Sequence, residues 1–96
     1  MHVIADICLI PIGVGVSLTR HVQLAYDVFA AAGLGAQLHP YGTVVEGEYD
    51  DVVRAIRQAM EAVHAAGAPR VHLSIKLGSR IDKKQSMADK VRALKK

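Results

Sequence analysis

AQLHPYGTVVEGE, residues 36–48, is the stretch on which the fold turns. Residues 36–41 and 43–48 are two short strand candidates pivoting on Gly42, and a hairpin is the simplest connection between them. Pro40 has no amide hydrogen to give to a ladder, so the first of the two belongs at a sheet edge. On either side of the hairpin the hydrophobic period changes from strand-like to helical. Upstream, Leu18, Val22, Ala25, Phe29 and Ala32 recur at steps of four and three, with Ser17 or Thr19 to cap the start and Gly33 to close the helix. Downstream, Asp50 and Asp51 favour a helix N-terminus, Val52, Ile56, Ala59, Met60 and Val63 form the buried stripe, and Gly67-Ala68-Pro69 ends it.

Two more strands bracket these elements. Residues 2–10, rich in Ile and Val, stop at Pro11-Ile12-Gly13, and residues 70–77 (RVHLSIKL) alternate apolar and polar. A short helix with Met87, Val91 and Leu94 on one side closes the chain. Right-handed crossovers turn this order into an α+β, ferredoxin-like βαββαβ domain over residues 1–96. Its antiparallel four-stranded sheet carries two helices on one face, with the short C-terminal helix in addition.

The first strand is apolar on both faces. Val3, Ala5, Ile7 and Leu9 alternate with Ile4, Asp6, Cys8 and Ile10, whereas a sheet wetted on one side shows clean alternation. An exposed Ile4, Cys8 and Ile10 would demand a partner, so sheets are expected to pack face to face between subunits. In the last strand Val71, Leu73, Ile75 and Leu77 point to the helices and His72, Ser74 and Lys76 to the open side. There Lys76 joins Asp6 and, by parity, Glu46. Two readings stay open: ion pairs that set subunit register, or the polar groups of a ligand pocket.

Composition removes other classes. A chain of 96 residues, 51% hydrophobic and 22% charged, affords one modest core. Cys8 is the only cysteine, so no intrachain disulfide or cysteine metal cluster can form, and a reducing cytoplasm is the expected compartment. MHVIADICLI has no basic leader, and no stretch approaches the roughly 18 apolar residues of a membrane span. The net charge of +3 is gathered in a lysine-rich end that reads as solvated helix surface rather than a nucleic-acid patch. RNA-binding domains of this topology stack bases on aromatic residues, and neither MHVIADICL nor TVVEGE has one. The five histidines lack metal-site spacing, Gly13-Val14-Gly15 is no dinucleotide fingerprint, and no nucleophile elbow appears. The expectation is a protein without catalytic residues, metal or cofactor.

Ile10-Pro11-Ile12-Gly13, Ser17-Leu18-Thr19-Arg20-His21-Val22 and Gly42-Thr43-Val44-Val45-Glu46-Gly47-Glu48 resemble the small thiamine-binding proteins of ferredoxin-like fold. Ser74-Ile75-Lys76, Arg80-Ile81-Asp82-Lys83, Met87 and Lys90-Val91 match that family's tail, and His21 stands where the family often has Tyr. The resemblance implies a homotetramer built from sheet-to-sheet dimers, with a pocket for thiamine or hydroxymethylpyrimidine near subunit contacts. An aminopyrimidine offers ring-nitrogen acceptors and an amino donor, so its pocket needs a carboxylate, a hydroxyl and an apolar wall. Glu46, Thr43 and Ser17 are the polar candidates, with His39 or Tyr41 as a flat neighbour; Ser17 serves equally as a helix cap and Thr43 as an ordinary strand residue. Ile4, Asp6, Cys8, Ile10 and Lys76 are the interface candidates. A ligand-sensing regulatory or assembly module of the same topology is the alternative function.

Overall fold

In the computed structural model, which describes residues 1–95, the alternation of the first segment is carried into a long strand, β1 (His2–Ile12). It is followed by α1 (Thr19–Ala31), β2 (Gln37–His39), β3 (Gly42–Glu48), α2 (Tyr49–Ala65), β4 (Arg70–Ser79) and α3 (Met87–Leu94). The four strands lie in the order β2-β3-β1-β4, every neighbouring pair antiparallel, with β2 and β4 at the edges. This is the ferredoxin-like α+β arrangement read from the sequence.

The core lies between β1, β3 and the two long helices. Val3, Ala5, Ile7 and Leu9 of β1 and Val45 of β3 are buried with Ala25 and Phe29 of α1 and Val52, Ala55, Ala59 and Val63 of α2. Alanine at 25, 55 and 59 keeps the helix faces low, so both can close on the sheet at interior density. Gly33 and Gly67 follow the helix ends with positive φ, the left-handed step that terminates a helix.

Several details depart from the sequence reading. β2 stops at His39 because Pro40 and Tyr41 make the turn, and β3 already includes Gly42. The N-cap of α1 is Leu18 and makes no side-chain capping bond, so neither Ser17 nor Thr19 serves that role. The buried stripe of α1 is His21, Ala25 and Phe29, rotated from the predicted one, with Ala32 exposed. His21 is buried although neither ring nitrogen finds a hydrogen-bond partner among the described residues. Ile75 and Leu77 point to the helix side, yet remain 42% and 44% exposed. β4 is an edge strand, and only its early residues Val71 and Leu73 pack against the core.

Two glycines of the Gly-Thr-x-x-Glu-Gly stretch sit against close neighbours, one of backbone and one of side chain. A Cβ on Gly42 would collide with the Ile7 carbonyl oxygen, and one on Gly47 would lie 2.8 Å from Leu34 Cδ2. The loop before β2 is tied down at the same place, since Glu46 N–H donates to the Leu34 carbonyl at 2.9 Å.

Candidate functional site

Strand parity assigns the helix-free face. β1 offers His2, Ile4, Asp6, Cys8 and Ile10, and the register sets Glu48 beside His2, Glu46 beside Ile4, and Lys76 beside Asp6. Asp6 and Lys76 are cross-strand neighbours but form no ion pair. Instead Asp6 Oδ1 lies 2.6 Å from His39 Nε2, reached from β2. Tyr41 N–H donates to His39 Nδ1 at 3.2 Å, which leaves the proton of a neutral ring on Nε2, aimed at the carboxylate.

Glu46 joins distant parts of the chain. Its Oε1 accepts from Met87 N–H at 3.2 Å and lies 3.2 Å from His2 Nε2. The carboxylate thus meets the first turn of α3 and holds the C-terminal segment over the sheet. That segment is braced internally. Arg80 grips Asp82 through Nε and Nη2, both at 2.6 Å, and donates to Gln85 Oε1 at 2.7 Å. These bonds pull the Asp82 carboxyl down to about 2. Ser86 and Asp89 exchange hydrogen bonds at 3.0 and 3.1 Å as a capping box, and the bond from the Ser86 backbone holds Asp89 below the ordinary carboxylate range. Met87 is buried, with its methyl end near Gly35.

An open cavity of about 830 Å³ lies between this segment and the sheet. His2, Ile4, Asp6 and Lys76 line it from the sheet, and Arg80, Lys83, Lys84, Ser86 and Lys90 from the segment. On the helix side a smaller hollow of about 470 Å³ is lined by Val16, Ser17, Leu18, Val22, Tyr26 and Leu38.

The predicted residues divide between the two faces. Asp6, Ile4 and Lys76 line the larger cavity, and His39 and Glu46 adjoin it through Asp6 and through Ser86-Met87. Ser17 lies in the helix-side hollow. Thr43, paired with Ile7 and Leu38, is buried on the helix side, so it and Glu46 cannot touch one ligand from the same face. Tyr41 is 84% exposed at the hairpin turn. Cys8 is half-buried and Ile10 exposed farther along the open face. The wall from Arg80 to Lys90 escaped the sequence reading; Ser86 three residues before Asp89 was the legible signal of an ordered start to α3.

The bracing carries a pH dependence. Asp82 and Asp89 titrate below their unfolded values, so the order they contribute is complete above about pH 4 and is lost as pH falls through the folded values, for Asp82 between 3.8 and about 2. Protection of the residue 80–90 amides against exchange, taken relative to the intrinsic rate at each pH, is expected to fall across that window ahead of that of the β1 amides. A uniform loss of protection in both sets would contradict this.

A family profile described as thiamine-binding protein matches residues 5–95. A UPF0045 protein of Synechocystis is 46% identical over 94 residues, covering 98% of this chain and 78% of its own length. A UPF0045 protein of Methanocaldococcus jannaschii is 33% identical over 92 residues, covering 96% of this chain and 91% of its own. The crystal structure of the Methanocaldococcus protein superposes with a TM-score of 0.90, covering 98% of this chain and 96% of that one at 32% identity. A Thermotoga maritima structure, described as a candidate thiamine biosynthesis/salvage protein, superposes with a TM-score of 0.84 over 98% of this chain and 99% of that one. At 18% identity it speaks for the fold alone. With the profile spanning residues 5–95, the chain belongs to the thiamine-binding protein family.

Proposed function

We propose that this protein binds thiamine or its hydroxymethylpyrimidine half, without transforming it, in the cavity between the open sheet face and the C-terminal segment. The observation that carries the reading is the lining: apolar Ile4 beside the Asp6 carboxylate in one cavity of about 830 Å³. That size falls within the range of small-molecule sites, which are apolar clefts with a few fixed polar groups. Asp6 Oδ1 is held by His39, and a carboxylate has a second oxygen to accept the exocyclic amine of an aminopyrimidine. Family membership favours the same ligand class. The polar groups around the cavity serve as fixed braces, the Ser86 hydroxyl in its capping box and the Glu46 carboxylate of β3 through its bond from Met87 N–H, which suits recognition rather than proton exchange.

Titration calorimetry with thiamine and with hydroxymethylpyrimidine is the test. Binding is expected for at least one of them, and Asp6→Asn weakens it about tenfold, the loss of a bond to a charged acceptor. Absence of heat at millimolar ligand overturns the reading.

The same proposal includes a cytoplasmic homotetramer. The lone free thiol of Cys8 suits a reducing compartment. The C-terminal segment shields the Ile4 end of the open face, but Ile10 and Ile12 remain 39% exposed on the same parity. Val91 and Leu94 of α3 are 50% and 87% exposed, leaving the later part of that helix's apolar side uncovered among the described residues. Ile10→Lys is expected to dissociate the assembly in sedimentation while helical content stays unchanged. A wild-type chain that sediments as a monomer at micromolar concentration contradicts it.

A further inference from the structure

The cavity on the open face has a lopsided charge. Lys76, Arg80, Lys83, Lys84 and Lys90 line it against the carboxylates of Asp6, Glu48 and Asp89. All three carboxylates are already engaged: Asp6 with His39, Glu48 with the Met1 ammonium at 2.7 Å, and Asp89 with Arg92 at 3.1 Å. Arg80 is taken up by Asp82. The four lysines, by contrast, have no acidic partner within 4.0 Å among the described residues.

Solitary surface lysines are commonplace, and each here is exposed to water. Their convergence is what separates these four. They come from β4, from the loop after it and from α3, and they border one concave space beside Ile4. Like charges gathered there repel one another, and a low-dielectric wall concentrates their field into the cleft. A ligand that is neutral or cationic leaves that repulsion standing. Thiamine brings a thiazolium cation and would add to it. A phosphate ester carries a charge of about −1.5 to −2 and several acceptor oxygens, and so offsets it. Lysine is suited to that contact because its ammonium is a compact point charge that needs no fixed approach angle.

We infer that the lysine side of this cavity takes the phosphate or diphosphate group of an esterified ligand. The inference rests on the proposed function above only for the organic part, the pyrimidine that meets Asp6. The anionic part is carried by Lys76, Lys83, Lys84 and Lys90.

The full chain is titrated by calorimetry with hydroxymethylpyrimidine, its phosphate, thiamine, thiamine diphosphate and inorganic pyrophosphate, at about 0.05 M and about 0.3 M salt, where screening differs strongly. The phosphorylated compounds are expected to bind at least tenfold more tightly than their unphosphorylated parents at low salt, with the advantage shrinking at high salt. Lys83→Gln/Lys84→Gln, two exposed changes that leave the core untouched, narrows that advantage; circular dichroism confirms the fold. Equal or weaker binding of the phosphorylated forms overturns the inference, as does a preference that survives in the double variant. Salt-sensitive capture of pyrophosphate with no pyrimidine compound bound sustains the anion site and overturns the proposed function. Unphosphorylated ligands binding as well as their esters does the reverse.

Discussion

Gly42→Ala is expected to cost about 3 kcal/mol or more of folding stability, a large share of the roughly 5–15 kcal/mol that holds a domain together. Residue 42 opens β3, directly beside the central strand β1. A methyl group there meets the Ile7 carbonyl oxygen and lies 3.0 Å from its carbon. That backbone is fixed from both sides, by β3 at Ile7↔Thr43 and by β4 at Ile7↔Ile75, so it cannot yield without breaking a ladder. Gly47→Ala is the internal comparison. Its methyl meets only the tip of Leu34, a side chain that can rotate, and about 1–2 kcal/mol is the expected cost of such overpacking. Urea unfolding measures both. A Gly42→Ala midpoint equal to wild type would show that the glycine is not there for packing. A retained midpoint with lost ligand binding would assign it to the site instead.

Glu46→Ala is expected to release the C-terminal segment and, with it, at least tenfold in ligand affinity. The carboxylate is the link between β3 and α3, and removing a charged acceptor costs about 1.5–3 kcal/mol. With the link gone the cavity loses the support of its outer wall, because Met87 is the only buried residue of α3. Glu46→Gln separates the two effects. Its amide oxygen can still accept from Met87 N–H, so the segment stays in place while the negative charge disappears. Hydrogen exchange at residues 86–90 and calorimetry on the same samples read the outcome. If Glu46→Ala leaves both exchange and affinity unchanged, Glu46 is neither brace nor ligand contact. If Glu46→Gln weakens binding with exchange unchanged, the carboxylate touches the ligand directly.

How far each feature was legible follows from the range of the interaction that makes it. The helix over Tyr49–Ala65 was readable because Val52, Ala59 and Val63 repeat at helical spacing and Gly67 supplies its left-handed exit. The apolar character of both faces of β1 was equally local information. The orientation of α1 was not. Sequence reasoning kept a histidine out of the core, whereas packing against the sheet selects the face of His21, Ala25 and Phe29. Thr43 illustrates another limit. A hydroxyl beside Glu46 in a glycine-bounded hairpin reads as a ligand group, yet pairing with Ile7 turns it to the helix side.

The sequence by itself determined the element order, the antiparallel sheet with helices on one face, and the family. Hydrophobic period, turn residues and strand parity act within a few residues of one another, and so are written in the local pattern. Only the tertiary structure decided what lies on the other face. The cavity exists because Glu46 meets Met87 across 41 residues and His39 meets Asp6 across 33. Single polar contacts of that range leave no periodicity behind them, since each depends on two side chains that the completed sheet alone brings together.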